Sequence, residues 1–288
     1  MRSRNYGGGT INTSTLAKAS TEAPVGSLKS GFADIGRGLR STPIWWTLTR
    51  QAIRSQYRRT YLGPWWMTIQ MIIFVGGLSL LFGILLGQDL KEFVPYVTCG
   101  FIGFSWMTGM IQGGATSITG NASAIKTTPG PLSIYALRNF AGNTIQFIHD
   151  AIVIVAVIVV FQVTVTSSLL YLPLALFAIA LNGIAVSLWL GPLVARYRDV
   201  GQIVTSIVRV LFFFTPVFWV ASDLSNRQLV LLSGWNPLTY LLELFRTPLL
   251  GKDPSTITLI GVAIITVVNV TVGIVHFSRT RDRIAYWV

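Results

Sequence analysis

The stretch Arg54–Trp66, RSQYRRTYLGPWW, sets Arg54, Arg58 and Arg59 within six residues, follows them with Leu62-Gly63-Pro64, and ends on two tryptophans. Guanidinium groups pair bidentately with phosphate. A basic, aromatic cluster of this kind suits nucleic acid, a membrane surface or an anionic substrate. A second set of candidates lies inside apolar runs, where ionisable side chains mark functional sites by default. Arg209 would cost about 2.5–3.5 kcal/mol if left facing lipid at mid-membrane. Asp150, beside His149, enters its own run from the same side, so an Arg209–Asp150 pair is geometrically possible. Such a pair either locks two helices together or lines a path.

No recognisable catalytic motif accompanies these residues. Gly251-Lys252 lacks the upstream glycine and the following Ser or Thr of a phosphate-binding P-loop, and no GxSxG or HExxH occurs. One cysteine, Cys99, excludes an internal disulfide, and two histidines make a Cys/His metal site improbable. Asn121-Ala122-Ser123 matches a glycosylation sequon but falls on the expected cytoplasmic side, where it has no meaning.

Composition selects among the three partners of the basic cluster. Apolar residues make up 52% of the chain and charged residues 11%, against about 25% charged in an average soluble protein. The chain is therefore expected to be an integral membrane protein. The net charge of +12 is then read by location rather than as a nucleic-acid signal. Six runs approach the ~20 residues that cross the hydrocarbon as a helix: 66–87, 93–113, 147–166, 169–192, 203–221 and 256–277. With the N-terminus inside, 17 of the 22 Lys and Arg fall in cytoplasmic segments. Lys91, Arg227, Arg246 and Lys252 fall outside, and Arg209 lies in a span. The positive-inside rule thus predicts six spans with both termini cytoplasmic.

Residues 1–42 lack the apolar core of a signal peptide and read as a flexible polar tail. Residues 43–62 have helical spacing. Arg50, Arg54 and Arg58 recur on one face, while Trp46, Ile53 and Tyr57, with Leu48 and Ala52 nearby, form another. An amphipathic helix at the interface is expected, with Pro43 at its start and Gly63-Pro64 at its stop. Residues 63–288 form the transmembrane domain. Between spans five and six, about 227–250, two short apolar pieces flank Gly234-Trp235-Asn236-Pro237 and are expected to dip back from the outer face as a re-entrant pair.

The inner loop at 114–142 is either a solvated linker or a docking surface with a short helix at Ser133–Arg138. Trp45, Trp46, Trp65, Trp66 and Trp287 fall at predicted interfaces, as an aromatic belt would. Phe104 and Trp106 in span two, and Phe212, Phe213, Phe214 and Trp219 in span five, lie deeper. They either pack helices or wall a path for sugar rings, whose C–H faces lie well on aromatic rings. Gly83/Gly87 and Gly109/Gly113 match a close-packing GxxxG spacing.

The order of these features resembles the membrane subunit of type-2 ABC exporters for bacterial polysaccharides, and most of all the O-antigen exporters. The residues that carry the resemblance are YRRTYLGPWW before span one, ARYRDVGQIVTSIVRVLFFFTPVFW across span five, NPLTYLLELFRTPLLG after it, and the terminal RDRIAYWV. It implies a homodimer in the bacterial inner membrane, joined to two copies of a cytoplasmic ATPase that binds ATP and Mg, with no cofactor on this chain. It implies ATPase contact through Arg50, Arg54, Lys126, Ser133, Tyr135 and Arg138. An outer gate would hold Trp235, Asn236, Pro237, Glu243 and Arg246. Leu62 and Gly63 would sit near a lateral opening where Arg58 and Arg59 meet the pyrophosphate of an undecaprenyl-linked glycan. Read from their depth in the spans rather than from the resemblance, Phe104, Trp106, Arg209, Phe212, Phe213, Phe214 and Trp219 are the channel-lining candidates, and Arg209 has no counterpart in the family motif. A type-2 permease for a drug or simple lipid, and an integral-membrane glycan-modifying enzyme using His149, are the alternatives.

Overall fold

The computed structural model describes residues 27–58, 60–63, 65–85, 87–219 and 234–288. These are helical almost throughout, and no strand occurs among them. Among the described residues, five helices are long and apolar enough to cross a membrane.

Two helices precede the first span. α1 (Leu28–Arg40) starts at Ser27, whose Oγ accepts the Ser30 N–H at 3.2 Å, and ends with Arg37 and Arg40 in its last turn, as the helix dipole favours. The sequence placed these residues in a flexible tail. They instead form a packed helix, because Gly31 and Gly38 let its backbone lie directly on Ser278 and Ser133. α2 (Thr42–Gln56) has Pro43 in its first turn, where a missing N–H costs nothing. It packs on α6 (Ser133–Val160) through Trp45 and Leu48, and Thr49 Oγ1 lies 3.4 Å from the Arg138 carbonyl. Trp46, counted among the interfacial tryptophans, is 48% exposed, while Trp45 joins the core beside Leu48.

α3 (Trp65–Leu85) is uncharged throughout and leads to a turn at Gly87, whose φ of 64° ends the helix. The Gly83/Gly87 spacing therefore is not a pair on one helix face. α4 (Leu90–Thr116) begins at Asp89, which accepts the Lys91 N–H at 2.9 Å. It is the most buried of the spans and the hub against which α3, α6, α7 (Leu172–Arg196) and α9 (Pro237–Leu249) pack. Gly109 and Gly113 do serve close approach: a Cβ on either would strike the amide of Asn143 or Asn139 on α6. Asn139 Nδ2 in turn donates to the Met110 carbonyl and to Ser187 Oγ, both at 2.9 Å.

After a short helix, α5 (Ala122–Thr127), α6 (Ser133–Val160) runs unbroken for 28 residues. The sequence divided this stretch into a short helix and a span beginning near Phe147. α7 (Leu172–Arg196) and α10 (Thr256–Thr280) are joined by a closed polar seam. Asn182 Nδ2 donates to Thr266 Oγ1 at 2.7 Å, Asn269 Nδ2 to Asn182 Oδ1 at 2.9 Å, and Trp189 Nε1 to Asn269 Oδ1 at 3.0 Å. Every group in it has a partner, which a water-poor interior requires.

α8 (Asp199–Phe214) has 16 residues, and α9 (Pro237–Leu249) has 13. A fifth span over 203–221 was expected, yet α8 covers only about 24 Å. Its helix stops because Thr215 precedes Pro216, and the residue before proline is driven out of the helical region; Thr215 sits at φ −90°, ψ 134°. Of the two short apolar pieces read from the sequence, the second contains α9, while the first lies outside the described residues. A final turn, α11 (Ile284–Trp287), returns beneath α7.

Candidate functional site

One end of the bundle carries α1, α2, α5 and the C-terminus, and with them most of the arginines. At this basic end the turn after α2 projects outward. Arg54 and Arg58 are exposed, Tyr61 is fully so, and Leu62 is 48% exposed. Gly63 has φ 53°, a left-handed conformation that a side chain resists, and the chain re-enters a helix through Trp65 N–H to the Leu62 carbonyl at 3.2 Å. Arg59 lies outside the described residues. Burial, and then the neighbouring Asp150 carboxylate, push the Tyr57 phenol above its usual range.

The expected ATPase contacts divide. Arg50, Arg54 and Lys126 are exposed. Ser133 and Tyr135 are 2% and 5% exposed and cannot meet a partner from the surface. Arg138 turns inward to Asn121, at the rim of a cavity of about 340 Å³ lined by polar residues including Gln56, Asn139, Asn143 and Gln146. Ser133 is held instead by a residue the sequence reading missed. Asp34 on α1, wholly buried, accepts the Ser133 N–H at 3.0 Å, Ser133 Oγ at 2.8 Å and the Leu132 N–H at 3.2 Å. It also lies 3.0 Å from Arg281 Nε. One carboxylate thus caps α6 and ties α1 to the C-terminal segment, each contact charge-assisted. The available signal was a lone acid between glycines, GFADIGRG, at helical spacing.

Deeper in the bundle, Asp150 and Arg209 form no ion pair. Asp150 is 2% exposed, with Gln146 as a hydrogen-bond partner and Oδ1 unpaired, whereas Arg209 stands exposed on α8. The two face different directions because α8 rests on α4 and α7 rather than on α6. His149 Nδ1 pairs with the Ile145 carbonyl at 2.8 Å, and its ring meets Trp65 edge-on.

The aromatic candidates also separate. Trp106 stacks on Phe147 at 4.2 Å, and Phe104 meets Phe212 at 5.6 Å; both Trp106 and Phe104 are 5% exposed. These two belong to the packing between helices, not to an open wall. Phe212 joins α8 to Phe101, Phe104 and Phe218, and Phe214 is half-buried. Phe213 is 63% exposed, on the open side of α8 with Ile203, Ile207, Arg209 and Val210.

At the opposite end, the non-helical strap Thr215–Trp219 is gripped by α4 and α9. Asn236 both caps α9, through the Leu238 N–H at 3.0 Å, and donates to Thr215 Oγ1 at 2.7 Å. Arg246, 4% exposed, donates to the Pro216 carbonyl and lies 3.8 Å over the Tyr96 ring, whose hydroxyl donates to the Trp219 carbonyl at 3.0 Å. The guanidinium is accommodated by a carbonyl and an aromatic face. Glu243 accepts Thr258 Oγ1 at 2.9 Å, Pro237 opens α9, and Trp235 projects, 87% exposed. Asn236 and Arg246 are therefore brought together on the strap, while Glu243 and Trp235 are not.

Among the described residues the fold is an all-helical, multi-pass bundle with five candidate spans and further helices at a basic end, a class of membrane protein. Residues 44–250 match the model of the ABC-2 type transporter family, and the chain is a member of that family. It is 22% identical over 243 residues to the O-antigen export system permease protein RfbA of Klebsiella pneumoniae, covering 83% of this chain and 92% of that one. The same identity over 247 residues, covering 83% and 93%, relates it to the O-antigen export system permease protein RfbA of Myxococcus xanthus. Permeases of this family work with an ATPase partner in ABC transporters.

Proposed function

We propose that this chain is the channel-forming subunit of an exporter that moves an undecaprenyl-pyrophosphate-linked polysaccharide across the cytoplasmic membrane. Two copies would pair with two copies of an ATPase that carries ATP and Mg, with both termini cytoplasmic and α8 completing a sixth crossing. The observation that carries this reading is the similarity to O-antigen export permeases along 83% of this chain and more than nine-tenths of theirs.

Three features support the assignment of parts. The open side of α8, with Arg209 and Phe213, has no cover among the described residues, and a second copy around a channel would provide one. The projecting turn at Arg58, Leu62 and Gly63 would receive the pyrophosphate, with Arg59 beside it. The strap held by Asn236 and Arg246 would form part of the outer gate. ATPase docking falls to the exposed Arg50, Arg54 and Lys126.

The test is reconstitution of the chain with its ATPase in vesicles. ATP-dependent movement of lipid-linked glycan into the lumen is expected. Movement of a drug or simple lipid without the glycan would make it a different type-2 permease, and glycan modification that survives removal of every ATPase but is lost in His149→Ala would make it an enzyme.

A further inference from the structure

α1 carries a surface that the described residues leave open. At about 100° per residue, Gly31, Asp34 and Gly38 share the face packed on α6 and α10. Leu28, Phe32 and Leu39 form the adjoining stripe, and each is at least half exposed. Lys29, Arg37 and Arg40 fill the remaining sector, exposed as well. The helix thus presents a packed face, an apolar face and a basic face in succession around its axis.

The anchoring residues fix its depth. Gly31 abuts Ser278 near the end of α10. From Thr256 to Ser278 a helix advances about 33 Å, against a hydrocarbon layer of about 30 Å. Ser278 therefore sits within a few ångströms of the acyl-chain boundary. Gly38 abuts Ser133 at the start of α6, so α1 bridges the ends of two spans on the same side of the bundle and runs across that side. Asp34, bonded to Ser133 and Arg281 at once, fixes the rotation that decides which way the apolar stripe faces.

We propose that α1 is an interfacial helix bound to the lipid surface. Leu28, Phe32 and Leu39 dip among the acyl chains, and Lys29, Arg37 and Arg40 meet anionic lipid phosphates. Depth and charge both favour a bilayer over a protein partner. A stripe of three large apolar residues flanked by cations, at headgroup level, has the composition of helices that lie in the membrane plane, and each cation near an anionic leaflet adds to the attraction. The proposal concerns attachment alone and holds whatever cargo the transporter carries.

The test uses the full chain with Cys99, which is buried, replaced by alanine. Single cysteines at Phe32→Cys, Leu39→Cys and Arg37→Cys carry an environment-sensitive fluorophore. The chains are reconstituted in phosphatidylcholine vesicles with or without phosphatidylglycerol. Lipids brominated near the top of the acyl chains should quench positions 32 and 39 several-fold more than position 37, while aqueous iodide reverses that order. Phosphatidylglycerol should strengthen the lipid quenching. Equal iodide quenching at all three positions would overturn the proposal by placing the stripe in water. Shielding of position 32 from both quenchers would overturn it in favour of a protein cover, either a second copy or the ATPase. Because all three substitutions lie away from the packed face, a folding defect in one alone is not expected; unchanged protease resistance of each labelled chain checks this.

Discussion

Replacing Asp34 by alanine leaves three donors and a guanidinium to find other partners, and they do not lose equally. Ser133 Oγ keeps the Asp34 main-chain carbonyl at 3.0 Å, and the Leu132 N–H is only half-buried, so water can reach it. The Ser133 N–H has no such recourse, because Ser133 is 2% exposed, and an orphaned buried donor costs about 1–3 kcal/mol. Arg281 retains the Ser30 carbonyl and is 21% exposed. Its share is about 1–2 kcal/mol, below the 3–5 kcal/mol of a fully buried broken pair. Together these come to about 3 kcal/mol in the local opening of α1, roughly a hundredfold in its equilibrium constant. Hydrogen exchange reads this directly: amides of residues 28–40 should exchange about a hundredfold faster in Asp34→Ala, with α7 unchanged. Asp34→Asn keeps an oxygen for the Ser133 N–H and should fall well short of that. Exchange within about threefold of the parent chain would refute the claim that this carboxylate holds α1. Asparagine as damaging as alanine would refute the apportioning by hydrogen bonds and leave charge as the sole cause.

Two further outcomes follow from named positions. A Cβ at Gly38 would lie 2.2 Å from Ser133 Oγ, whereas one at Gly36 meets nothing within 4 Å. Gly38→Ala should therefore speed exchange in α1 as Asp34→Ala does, while Gly36→Ala should slow it slightly, since alanine in a helix gains about 0.5–1 kcal/mol over glycine. Arg58→Gln with Arg59→Gln should lower transport of lipid-linked glycan in reconstituted vesicles while leaving membrane insertion and ATPase association intact. Unchanged transport would return the two arginines to topology anchors.

What the sequence made legible was whatever depends on transfer from water to hydrocarbon. Charge-free runs such as 67–85, and the concentration of cations at one end, carry their energy residue by residue, so composition alone reveals them. What it hid was pairing. The choice of Trp45 over Trp46 for the packed face of α2 turns on where α6 lies, and the end of α8 at Thr215 turns on one proline inside an otherwise apolar run. Arg209 and Asp150 looked like partners because each is costly in lipid, yet that cost fixes only that each must find an accommodation, not with whom. Arg246 makes the point in reverse. Read from the sequence as an outer-segment cation, it is buried on a carbonyl and an aromatic ring, partners that no charge pattern announces. Asp34 was hidden for the same reason, since its three donors lie about a hundred residues away along the chain and its cation some two hundred and fifty. A lone acid in a strongly basic chain can be kept buried only where several donors converge. The glycines on either side of Asp34, at helical spacing, let the helix come close enough for them to do so.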